Sequence, residues 1–100
     1  MNEAKFRTWL EKHMNYHTAR TYISRCMRIE EKLFIDLDDE YRKDGGSGLL
    51  NRLKYSRDEQ RQRKQPQCGL KFEENADIYI GMNSLRASVK KYFEFRGTED

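Results

Sequence analysis

Apolar residues recur at helical spacing along most of the chain. Phe6, Trp9 and Leu10 fall at i, i+3 and i+4 and predict a first helix over residues 3–12. Asn15 follows a short break and is placed to cap a second helix over 16–34. There Ala19, Tyr22, Ile23, Cys26, Ile29 and Leu33 form one stripe, with Met27 flanking, and Arg20, Arg25, Arg28 and Lys32 lie mostly off it. Asp36 or Asp38 caps a short helix reaching about Lys43. Its acidic first turn suits the helix dipole, and Gly45-Gly46 stops it. Ser47 is the expected cap of a fourth short helix with Leu49, Leu50 and Leu53 inside. Asn75 is the expected cap of a last helix over about 76–95, with Ile78, Met82, Leu85, Val89, Tyr92 and Phe93 inside and Gly97 at its end.

Between these lies a polar insertion at about 57–74. It opens on a capping box, Ser56-Arg57-Asp58-Glu59, and continues through a charged, glutamine-rich stretch without an apolar stripe to Pro66 and Gly69. This segment is the expected mobile part of the chain. No stretch alternates like a strand. The expectation is therefore all-α: a compact bundle of four to five helices forming one domain over residues 1–100.

Composition changes this picture little. One hundred residues make one domain's worth of chain, and twelve per cent aromatic content supplies large side chains for a small core. No apolar run approaches the ~20 residues of a membrane span, and no signal-peptide pattern opens the chain. Cys26 and Cys68 do not form a CxxC pair. A reduced, cytoplasmic setting is expected, with no cofactor.

Charge adds more. The net charge is +3, and its distribution is uneven. Residues 1–34 and 52–71 are basic blocks, and the knuckle Asp36, Asp38, Asp39, Glu40 and Asp44 between them is acidic. Segregation of this kind suits nucleic acid, or electrostatically steered association with a protein.

Chemistry-bearing patterns are sparse. His13 and His17 are four apart, but a helix break is predicted between them and no third ligand is nearby, so no metal site is expected. The Asp36–Glu40 cluster lacks the order of an EF-hand loop, and Gly45-Gly46-Ser47-Gly48 lacks the Gly-Lys-Ser/Thr end of a phosphate loop. Tyr22 and Tyr92 fall on apolar stripes and read as core. The basic stretch Arg57, Arg61, Arg63 and Lys64 is either an arm that tracks phosphates or a solvated polar face.

Two patches carry a resemblance. One is Phe6-x-x-Trp9-Leu10, then Thr18-Ala19-x-x-Tyr22-Ile23, then Arg28-Ile29-Glu30. The other is Leu85-Arg86-Ala87-x-Val89-x-x-Tyr92-Phe93-x-Phe95. Together, over roughly residues 4–34 and 76–96, they resemble the N-terminal core-binding domain of phage-integrase-type tyrosine recombinases, a SAM-like bundle of four or five helices. The resemblance implies half of a clamp on duplex DNA. By position, His17, Thr18, Arg20 and Arg25 of the second helix and Arg86, Lys90 and Lys91 of the last would make its contacts. Such phosphate contacts set affinity and salt dependence rather than sequence choice. The family's catalytic arginines, His-x-x-Arg pair and nucleophilic tyrosine sit in a second domain and have no counterpart in residues 1–100, so the chain is expected to be non-catalytic. The alternative is a protein-interaction module, an inhibitor or adaptor of a larger nucleic-acid enzyme, with a mobile element as one source.

Overall fold

The computed structural model describes residues 1–99; Asp100 lies outside them. The described residues are all-helical, without a strand. The helices are α1 (Glu3–Glu11), α2 (Tyr16–Leu33), α3 (Leu37–Asp44), α4 (Ser47–Arg52), a single turn α5 (Arg57–Arg61) and α6 (Ile78–Glu99).

Local chemistry accounts for most of these boundaries. The Asn2 side chain accepts from the Lys5 amide at 3.2 Å, Asn15 from Thr18 at 2.8 Å and Asp36 from Asp38 at 2.7 Å, each satisfying an orphan donor of a first turn. Ser56 and Glu59 exchange both bonds of their capping box. Gly45 closes α3 in the left-handed region at φ 69°.

Three boundaries differ from expectation. Ser47 is the first residue of α4 rather than its cap. Gly46 holds the cap position, and the Asp44 carboxylate takes the amides of Gly46 and Gly48 at 3.0 and 3.1 Å. Gly46 is required there, because at φ 88° a Cβ would stand 2.2 Å from the Phe93 ring. The last helix starts at Ile78, not 76, because the Asp77 side chain takes the Ile80 amide at 3.0 Å in place of Asn75. It also runs through Gly97 to Glu99, since that glycine keeps helical geometry, without a positive φ.

The core forms where α2 and α6 face each other, and theirs is the largest interface between helices. Ala19, Ile23, Cys26 and Ile29 of α2 meet Met82, Leu85, Val89 and Tyr92 of α6, all nearly inaccessible to solvent. α1 closes one side of this pair through aromatic contacts. Phe6 meets Tyr92 edge-on at 4.9 Å and Phe95 at 5.4 Å, and Trp9 meets Phe95 at 5.8 Å.

Residues 57–74, expected as a polar insertion, are bound to the bundle at several points. The Tyr55 hydroxyl donates to the Lys64 carbonyl at 2.6 Å, Gln67 Nε2 donates to the Asn51 carbonyl at 3.0 Å, and Pro66 and Leu70 are buried. Phe72 rests its edge on Gly81 of α6, where a Cβ would approach Cε1 to 2.6 Å. Sparse but well-spaced anchors replace the missing apolar stripe.

A polar junction ties the helix ends together. The buried Tyr92 hydroxyl donates to Asp38 Oδ1 at 2.5 Å and accepts from the Asn2 amide at 2.9 Å. Arg96 Nη1 reaches the same Asp38 oxygen at 2.9 Å, and the Met1 ammonium lies 3.4 Å from Asp38 Oδ2 and 3.1 Å from Glu30. Glu30 in turn accepts from the Leu37 amide at 3.0 Å. Burial alone would raise the Asp38 pKa, but the Tyr92 hydroxyl, the Met1 ammonium and the Arg96 guanidinium outweigh it and hold the carboxyl below its ordinary value. A depressed carboxyl contributes stability that is present above its unfolded pKa and is lost as pH falls through the folded one. Urea midpoints should therefore drop between about pH 5 and pH 2, and Asp38→Asn should both lower the neutral midpoint and flatten that acid-side fall.

Candidate nucleic-acid interface

The direction of each helix's wet side follows from the core. α2 and α6 bury facing stripes, so the backs of the two helices point away from each other. Lys90, exposed on the back of α6, therefore points away from the basic residues on the back of α2. Lys91 pairs with Glu94 at 3.2 Å. Arg86 is turned inward: its Nε donates to the Leu50 carbonyl at 3.0 Å and ties α6 to α4.

On α2 the expected residues also divide. His17 is exposed, with its ring edge-on to Tyr16 at 5.6 Å, and the Thr18 amide is spent on the Asn15 cap. Arg20 lines a groove against α1 together with Glu3, Arg7 and Glu31. Arg25 stands about 140° around the helix from Arg20, at 100° per residue. Its companions are Arg28 and Lys32. The i, i+3, i+7 spacing confines these three to an arc of about 60°.

The chain after α5 crosses close to that arc. The Arg28 guanidinium lies over the Phe72 ring at 5.7 Å from its centroid. Arg28, Lys32, Leu70 and Lys71 line one shallow hollow, and Phe72 and Arg63 line the next. Arg63 takes a left-handed φ of 53° where the chain turns out of α5. Arg25, Arg28, Lys32, Arg63, Lys64 and Lys71 make no ion pair among the described residues.

Several charges elsewhere are internally matched. Glu40, which is buried, takes Arg52 at 2.7 Å and Lys43 at 3.4 Å, Asp39 pairs with Arg42, and Arg61 pairs with Asp58. The acidic knuckle is thus largely spent on capping α3 and on its own neighbours. Of the arm residues, Arg61 is paired, Arg57 stacks over Tyr79 at 4.7 Å, and Arg63 lines the hollow beside Phe72.

Sequence reasoning passed over Arg28, Lys32 and Lys71 as contact residues. The Arg25-Arg28-Lys32 spacing was a usable signal. Lys71 had none, because its position depends on how the chain after α5 wraps around the bundle.

No group of three or more His, Cys, Asp or Glu residues among those described is arranged to hold a metal ion. No helix among them is long and apolar enough to cross a membrane. No family model matches the chain, and no curated protein or solved structure matches it.

The two cysteines have different surroundings. Cys26 is sealed against α6, where its Sγ donates to the Ser88 carbonyl at 3.3 Å, and burial pushes its pKa up to about 12. Cys68 is only half-buried. A thiol reagent at neutral pH should therefore titrate Cys68 in the folded protein and both thiols after denaturation. Rapid native labelling of Cys26 would contradict its sealed position.

Proposed function

We propose that this chain is a non-catalytic DNA-binding module. It holds duplex DNA by its phosphates along Arg25, Arg28 and Lys32 of α2, with Arg63, Lys64 and Lys71 beside them. The observation that carries this reading is the gathering of Arg28, Lys32 and Lys71 about one hollow, with Arg63 lining the next. Unpaired surface cations are inexpensive to leave in water, and a polyanion that replaces their counterions gains the free energy of ion release. Arg25 belongs both to this strip and to the contact set implied by the recombinase resemblance. The remainder of that set is divided between opposite faces, so the strip uses α2 and the chain after α5 rather than α2 and α6.

A second reading, docking onto a larger nucleic-acid enzyme, draws on a different feature. Phe34 is 93% exposed and takes a left-handed φ of 54° at the end of α2. An aromatic ring in water at a conformation few side chains prefer suits a contact with a protein partner.

Fluorescence anisotropy with labelled duplex DNA separates the two readings. Affinity should fall linearly on a log–log plot against salt. Alanine at Arg25, Arg28 or Lys32 should flatten the slope by about 0.9 for each phosphate that is no longer neutralised. Lys90→Ala should leave the slope nearly unchanged. Absence of binding at low salt would contradict the DNA reading.

A further inference from the structure

Beside the basic strip lies a hollow of a different chemical character. It occupies about 380 Å³ between α5, the start of α6 and the chain that joins them. Its walls include Gln60, Arg63, Phe72, Glu73, Glu74 and Asn75. Two carboxylates against one guanidinium make it a poor seat for phosphate. Its flat aromatic wall and its amides suit a neutral, planar, hydrogen-bonding group. The Gln60 carbonyl is already taken by the Tyr79 amide at 3.1 Å, so its NH₂ is the group left to donate. Arginine–aromatic pairs stand nearby, with Arg28 over Phe72 and Arg57 over Tyr79. Guanidinium and aromatic planes are the surfaces on which unpaired bases stack.

We infer that this hollow takes an unpaired nucleobase bearing an exocyclic amino group, from a strand whose phosphates run along Arg28, Lys32 and Lys71. The base stacks on Phe72, and its amino group donates to Glu73 or Glu74, as a carboxylate accepts from cytosine N4. The inference rests on the DNA-binding reading above and adds a preference for unpaired strand and for base type. Thymine lacks the amino group and offers a carboxylate only its ring N3–H, so it is held less tightly.

The test compares three probes of equal length on the full chain: oligo-dC, oligo-dT and a duplex. Oligo-dC should bind about tenfold tighter than oligo-dT, the discrimination expected of one good base contact. Phe72→Ala should weaken oligo-dC about tenfold, the effect of removing one stacked base, and change duplex binding less than twofold. Phe72 also packs on Gly81, so a second variant guards against misfolding. Glu73→Ala with Glu74→Ala removes both acceptors, alters only exposed side chains and should bring the dC-to-dT ratio close to one. Equal binding of oligo-dC and oligo-dT by the parent protein would overturn the inference while leaving duplex binding intact. So would a ratio that the double variant does not move. Failure to bind any of the three probes at low salt would overturn the DNA-binding reading itself.

Discussion

The hydrogen bond from Tyr92 to Asp38 is the contact on which the arrangement of the helices depends. One phenol sits at the meeting point of the chain entering α1, the first turn of α3 and the later turns of α6. Its hydroxyl is buried, so each of its partners must be present for it to be satisfied. Asp38 answers it and also takes Arg96, while Glu30 at the far end of α2 fixes the Leu37 amide at the start of α3. α3 is short and polar, and has little apolar area with which to hold itself in place. Its direction is set by these polar ties and by Leu37, which is fully buried.

With α3 fixed, the rest of the charge distribution follows. The acidic residues of the knuckle are largely consumed within the bundle, with Asp36 as a cap, Asp38 at the junction and Glu40 against Arg52 and Lys43. The α2–α6 interface takes the apolar stripes of both long helices and leaves their basic residues on opposed faces. The chain after α5 lays Lys71 and Phe72 near Arg28 and Lys32 of α2, which gathers three cations about one hollow. The proposed nucleic-acid affinity then depends on how the chain after α5 wraps against α2.

Helix positions were legible because the chain states them twice, in apolar periodicity and in capping chemistry. Asn15 and Ser56 each cap where the sequence placed them, and Asp36 is one of the two caps offered for α3. Ser47 and Asn75 misled for one shared reason. An aspartate close by in each case, Asp44 and Asp77, takes amides of the first turn itself and moves the start of the helix by one or two residues. The site was less legible. Arg25, Arg28 and Lys32 share a face by spacing alone, and the apolar stripes mark the inner faces of α2 and α6, but nothing in the sequence tells where the chain after α5 crosses. The residues between α5 and α6 were opaque, because Tyr55, Pro66 and Leu70 anchor them one at a time, and isolated anchors leave no period to read.

Backbone chemical shifts followed during titration with duplex DNA test the central claim most directly. Perturbations should gather on Arg25, Arg28 and Lys32 and on residues 63–72, with the amides around Lys90 and Lys91 unmoved. Perturbations centred on the back of α6, or spread evenly over both long helices, would contradict it.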